Sequence, residues 1–248
     1  TNDWISAQNI TFSWQQVEGI RNNMLNFLEN HDEQRLASKF FAGNPLKGKA
    51  PLLVSALMYT NPMMVYFGQE FGEPGMDAEG FSGEDGRTTI FDYWSVDTIR
   101  RWRNNGKFDN KQLTADELSL QAYYAKVLNI CNSSEAVREG EFYDLMYVNP
   151  QLQRQYAFVR HTENETLLIV ANFAAHDAEV SIHVPQHLFE YYQIEESTSN
   201  DWMDLLTGDS VKASFTSAEA TKLNVPAWGG CVLRMKEQKK TKCKKSKA

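Results

Sequence analysis

Two short apolar runs with a helical stretch between them constrain the fold of this 248-residue chain more than any other feature. Met24-Leu25-Asn26-Phe27-Leu28 reads as a buried strand and ends in Glu29-Asn30-His31-Asp32, followed by Glu33, Gln34 and Arg35. Asn61-Pro62-Met63-Met64-Val65-Tyr66-Phe67 reads as a second strand and closes in Gly68-Gln69-Glu70. Between them Ala50–Thr60 predicts a helix, with Pro51 in its first turn, where a missing N–H leaves no bond unmade. Strand, helix and strand over roughly 30 residues make a βαβ crossover, which demands a parallel sheet. Both strands then end in carboxylate-bearing segments on one face of the sheet. That is where α/β barrels gather catalytic groups, on the loops after their strands.

A His-Asp pair delivered by a rigid strand offers a hydrogen-bond donor and a carboxylate to one ligand. The combination suits a sugar hydroxyl, or a transition state that carries positive charge. Residues 71–112 add a loop-rich stretch with six glycines, and loops this long in a compact domain are usually functional. Phe81, Tyr93 and Trp94 could stack on the C–H faces of sugar rings, with burial in the core as the alternative for each. Asp85 and Arg87 read either as site groups or as an ion pair that organises the loop.

These residues resemble the α-amylase family of glycoside hydrolases. Phe27–Asp32 is similar to the family's fourth sequence motif, at the end of barrel strand seven, and Pro62–Glu70 to strand eight. Gly80–Trp94 resembles the insertion after strand eight in bacterial enzymes of this kind. The resemblance implies a fold class: the C-terminal part of a (β/α)8 barrel followed by an antiparallel β-sandwich. It implies that Asp32 is the third family carboxylate, stabilising the distorted, oxocarbenium-like sugar, and that His31 contacts a substrate hydroxyl. Asn30, Arg35, Glu70 and Trp94 are the further substrate-binding candidates, with Glu33 and Arg35 placed beneath or at the rim of the site. The substrate implied is an α-1,4-glucan, cleaved with retention. A same-family transglycosylase of branching or trehalose-forming type shares these strand ends. A non-catalytic glucan-binding module would rest instead on Trp94, Trp202 and Trp228.

The family's nucleophile segment, Gly-x-Arg-x-Asp, its acid/base glutamate and its early Asp-x-x-x-Asn-His segment are missing. Gly86-Arg87-Thr88-Thr89 has neither the spacing nor the aspartate. A full barrel needs about 250 residues, and only roughly half that many precede the second domain, so the chain reads as a fragment that is inactive alone. An incomplete barrel leaves strand edges unpaired, which predicts self-association or incomplete order before residue 115. No cofactor or metal pattern is visible; the resemblance admits calcium in the part of the parent enzyme absent from this chain.

Twenty-five basic and 32 acidic residues give a net charge of −7. Seven lysines and one glutamate fall in residues 236–248, which leaves −13 on residues 1–235. An acidic body argues against nucleic-acid binding. The lysine-rich tail, 237–248, reads as a disordered, solvated end in which like charges repel. No run reaches the ~18 apolar residues of a membrane-spanning helix. A fragment would have lost any signal peptide, so export and the periplasm, the medium and the cytoplasm all stay open. Cys131, Cys231 and Cys243 make neither a disulfide framework nor a metal pattern.

Further along, Ser13–Arg21 predicts a short helix capped by Ser13, with Trp14, Val17 and Ile20 on one stripe. Thr114-Ala115-Asp116-Glu117 predicts a helix opened by a capping box and running to about Asn132. The apolar period then changes to two. Strands are expected at 145–148, 155–160, 167–173, 178–184, 205–206 and 230–235. The expected division is a barrel portion at 1–135, a β-sandwich at 136–236 and the tail. Phe158-Val159-Arg160 and Val170-Ala171-Asn172-Phe173 resemble the C-terminal β-domain of amylases.

Overall fold

A computed structural model describes residues 5–75, 84–91 and 96–235. The first helix, α1 (Gln8–Gln16), starts five residues before the predicted one. Ser13 is therefore not its cap: it sits inside the helix and donates its hydroxyl to the Asn9 carbonyl at 2.8 Å. Long-range contacts set the helix start. Gln8 Nε2 donates to the Asn149 and Leu152 carbonyls at 3.0 and 3.2 Å, and the Trp14 indole donates to Asp144 Oδ2 at 3.1 Å.

Strand β1 (Asn26–Phe27), helix α2 (Lys49–Leu57) and strand β2 (Met63–Met64) form the expected crossover. The strands run parallel, in the register Asn26 to Met63 and Phe27 to Met64. The Asn26 amide donates to the Ser55 carbonyl at 2.7 Å and so ties β1 to the helix. Apolar residues nearly all round α2 bury Ala50, Leu52, Leu53, Val54, Ala56 and Leu57, as a helix packed on several sides requires. The barrel is not closed. Leu25 and Phe27 are 46% and 42% exposed, against the expectation of a buried strand, because among the described residues β1 pairs with β2 alone.

Helices α3 (Asp97–Arg103), α4 (Ala115–Ser133) and α5 (Glu135–Arg138) follow. The capping box of α4 is formed. Thr114 Oγ1 accepts from the Glu117 N–H at 3.2 Å, and Glu117 Oε2 accepts from the Thr114 N–H at 2.7 Å.

The rest is mainly antiparallel sheet. Its strands are β3 (Glu141–Asp144), β4 (Gln155–His161), β5 (Thr166–Asn172) and β6 (Ala178–Ile182), then, after helix α6 (Gln186–Tyr192), β7 (Ser197–Asp204), β8 (Ser210–Phe215), β9 (Thr221–Val225) and β10 (Gly230–Met235). One sheet has the order β3-β4-β5-β10-β7-β8, and β6 pairs with β9 in a second. Two expected strands are displaced. Asp144 Oδ1 accepts from the Met146 N–H at 2.7 Å, so residues 146–148 coil into a 3-10 turn and the strand precedes them. Leu205 and Leu206 lie in the turn after β7. Helix α6 and strands β8 and β9 are not expected from the sequence: Thr221–Val225 alternates buried and exposed residues as a half-buried strand does, but each of the two strands holds only two large apolar side chains.

A single apolar cluster joins α2 and α4 to this sheet through Leu53, Leu57, Val127, Ile169, Val170 and Val232. Strand β10 passes so close that a Cβ on Gly230 would lie 2.5 Å from Leu53 Cδ1 and 2.4 Å from the Val170 carbonyl oxygen. Arg160 locks the same junction. Fully buried, it donates to the Met58, Ala136, Val137 and Gly140 carbonyls. Burial lowers its pKa to about 10. Cys131 and Cys231 are free thiols within this packing, as residues of small apolar volume often are. Cys243 and the lysine-rich tail lie outside the described residues.

Candidate functional site

The polar run after β1 divides into residues that face inward and residues that face out. Asn30 sets the division. Its Oδ1 accepts from the Asp32 and Glu33 backbone N–H groups, each at 2.8 Å, which closes an Asx turn. His31 and Asp32 are thereby pushed into solvent with side chains 48% and 68% exposed, and His31 Nε2 lies 3.3 Å from Asp32 Oδ2.

Glu29 points the other way and is buried. Its Oε2 accepts from Arg35 Nη1 at 2.8 Å and its Oε1 from the Leu36 N–H at 2.7 Å. Burial pushes its carboxyl above the ordinary value, while Arg35 pulls it back down. Desolvation outweighs attraction in this pair, as is common for buried ion pairs.

Arg35 has no exposed surface. Besides Glu29, it donates through Nη2 to the Phe67 carbonyl at 2.8 Å and through Nε to Thr88 Oγ1 at 3.1 Å. Its guanidinium carbon lies 4.3 Å from the Tyr66 ring centroid and 5.0 Å from that of Phe67, a cation–π sandwich. Its backbone N–H donates to the Gly86 carbonyl at 2.7 Å. One side chain thus ties the end of β1, the end of β2 and the loop at 86–88 together. Expected to contact substrate, or to lie beneath the site or at its rim, Arg35 is committed to internal partners beneath the His31-Asp32 turn.

After β2 the chain turns sharply. Gly68 and Gly72, with φ of +81° and +73°, flank a single 3-10 turn over Gln69–Phe71, a conformation that suits glycine. Gln69 is buried; its Oε1 accepts from the Tyr66 N–H at 3.2 Å and its Nε2 donates to the Tyr124 hydroxyl at 3.0 Å. Glu70 is half-buried, its carboxyl raised by burial and lowered by backbone N–H groups and by Arg35. Its Oε2 has no hydrogen-bond partner among the described residues. Glu73, fully buried, accepts from the Thr98 hydroxyl at 2.6 Å and the Gly75 N–H at 3.0 Å.

The sequence-predicted residues therefore separate. Asn30, His31 and Asp32 form one outward turn, Arg35 lies under it, and Glu70 sits at the neighbouring strand end within the field of Arg35. Trp94, with Phe81 and Tyr93, lies outside the described residues. Trp202, an anchor of the alternative binding-module reading, is wholly buried and packs edge-on against Phe215 at 5.2 Å. It is a core residue and presents no face to a sugar. Trp228 is half-buried. Asp85 and Arg87 stand 3.7 Å apart, the ion pair named as one of their two readings. The inward roles of Glu29, Gln69 and Glu73 escaped sequence reasoning, since a carboxylate six residues from an arginine carries no local signature. Among the described residues no group of three or more His, Cys, Asp or Glu is placed to hold a metal ion.

Chemically, the turn presents a carboxylate and an imidazole side by side on a base that cannot shift without breaking the Arg35 contacts. Such a pair can grip adjacent hydroxyls, one as acceptor and the other as donor or acceptor.

No protein-family model matches the chain, and no curated protein matches it in sequence. Solved structures do. A maltogenic α-amylase from Thermotoga neapolitana is 17% identical with a TM-score of 0.60, over 92% of this chain and 45% of its own. An α-amylase from Geobacillus thermoleovorans, solved with acarbose, is 14% identical with a TM-score of 0.60, over 94% and 44%. A trehalulose synthase variant is 18% identical with a TM-score of 0.58, over 93% and 47%. The chain thus has the fold of the C-terminal part of α-amylase family enzymes and spans under half the length of these neighbours.

Proposed function

We propose that this chain is the C-terminal portion of an α-amylase-type retaining enzyme acting on α-1,4-glucans. The observation that carries the reading is the outward His31-Asp32 pair at the end of β1, seated on the buried Glu29–Arg35 anchor in a fold shared with such enzymes. In this reading residues 1–135 complete a barrel whose other strands bear the nucleophile and the acid/base, and residues 136–236 buttress it. Asp32 accepts hydroxyls of the sugar at the cleavage point and favours its flattened, positively charged form. His31 hydrogen-bonds the same sugar. The contact strengthens as charge develops, so it lowers the barrier rather than merely holding substrate.

In an enzyme with the whole barrel, Asp32→Ala is expected to lower kcat on maltooligosaccharides by well over about tenfold with a smaller change in KM. Unchanged turnover would end the assignment. The chain alone is expected to release no product from starch. The trehalulose synthase neighbour keeps a second outcome in play, glycosyl transfer to a sugar hydroxyl in place of water. Chromatography of the products separates the two, since hydrolysis gives only shorter glucans.

A further inference from the structure

We propose that the aromatic face built by α6, β3 and the turn after β3 is a binding platform for the pyranose rings of an α-glucan chain, carried by elements other than those that carry Asp32. Helix α6 buries Leu188 and Phe189 and leaves His187 and Tyr191 on its outer side. Tyr191 and Tyr147 are 57% and 61% exposed. Isolated exposed tyrosines need no explanation, but these belong to an interlocked group. The Tyr143 and Tyr147 hydroxyls lie 2.9 Å apart, and the Tyr143 hydroxyl lies 3.1 Å from His187 Nδ1. The His187 and Tyr191 rings stack with centroids 5.8 Å apart and planes at 22°. Tyr192 meets Tyr143 edge-on at 6.0 Å and Tyr191 at 5.0 Å.

Rings held this way are already fixed before a ligand arrives, so stacking on them costs little conformational entropy. Tyr143 and Tyr192 pack against the core and anchor the group, which leaves Tyr147, His187 and Tyr191 on its exposed side. The polar groups around them select the ligand. Glu141 on β3 lies near enough to raise the Tyr191 hydroxyl above its ordinary value, and Glu190 lies on the same helix, held by the Gln186 amide at 2.6 Å. Carboxylates at the edge repel the phosphates of a nucleic acid or a lipid headgroup. They accept from the hydroxyls of a neutral sugar whose C–H face lies on the rings. The choice of an α-glucan among sugars rests on the function proposed above. The demand for a ligand that stacks on rings and carries no negative charge rests on this face alone.

The test uses the chain itself, by native electrophoresis through amylopectin and by calorimetric titration with maltoheptaose. The chain is expected to be retarded and to bind. Tyr147→Ala with Tyr191→Ala is expected to weaken binding about tenfold or more, and Tyr147→Phe with Tyr191→Phe to keep most of it. Both tyrosines are exposed, so unaltered circular dichroism and Tm are expected of the variants. Absence of retardation and titration heat would overturn the proposal. So would binding kept in full by the alanine pair, or binding of a proline-rich peptide in place of maltoheptaose. Turnover of the complete enzyme decides the role of Asp32 separately, so the two readings fail independently.

Discussion

Arg35→Met is expected to destabilise the chain by about 3–5 kcal/mol near neutral pH, the usual cost of removing one partner of a buried ion pair. Methionine restores most of the volume between the Tyr66 and Phe67 rings but none of the donors. The Phe67 carbonyl and Thr88 hydroxyl each lose a bond, of 2.8 and 3.1 Å, and a buried acceptor left unpaired costs about 1–3 kcal/mol. The remainder comes from Glu29, which keeps the Leu36 N–H but loses its counter-charge.

The pH dependence has a definite sign. Burial already raises the folded carboxyl of Glu29, and Arg35 is the largest influence opposing that rise. Without Arg35 the folded value climbs further above that of the unfolded chain. The stability that depends on a protonated Glu29 is then complete below the unfolded value, about 4.5, and is lost as pH rises through the folded value. The deficit of Arg35→Met should therefore be smaller at pH 5 than at pH 8. Adding Glu29→Gln, which carries no charge at any pH, should recover part of it at pH 8. Urea unfolding followed by tryptophan fluorescence measures each term. A deficit below about 1 kcal/mol, one equal at both pH values, or a double variant weaker than Arg35→Met would refute the reasoning.

Arg160→Met should cost about 3 kcal/mol or more in the same assay, because four backbone carbonyls lose their donor at once. Arg160→Lys should not rescue it, since one ammonium cannot reproduce a planar fork of five donors. Ile20, Leu25 and Phe27 are 59%, 46% and 42% exposed. The chain on its own should accordingly show a sedimentation coefficient that rises with concentration, and polar replacements at these three positions should suppress the rise.

The residues legible in the sequence are those whose roles are local. The crossover could be read because two apolar runs flank a helix with proline in its first turn, and a helix is the usual connection between parallel strands. The α4 capping box could be read because Thr114 and Glu117 satisfy each other's backbone donors within one turn. The strands at 155–161, 166–172, 178–182 and 230–235 could be read because sheet packing imposes a strong apolar pattern. Strands β8 and β9 could not: their inward residues, Ala213, Phe215, Leu223 and Val225, do alternate with polar ones, but runs this short with so few large apolar side chains stand out little from a polar loop.

Tertiary structure alone decided which of four consecutive polar residues face solvent and which is buried. Glu29, Asn30, His31 and Asp32 are equally polar as letters. Arg35 folds back from six residues away, flanked by two aromatic rings from the segment that follows β2, and its charge draws Glu29 inward. Asn30 then closes the turn that leaves His31 and Asp32 outside. The start of α1 follows the same rule, set by carbonyls more than 140 residues away. So does the aromatic face of α6, whose rings come from two separate stretches of chain. A sequence records the groups and their local spacing. Burial and charge pairing act between segments that meet only in the folded molecule, and they assign those groups to core, support or surface.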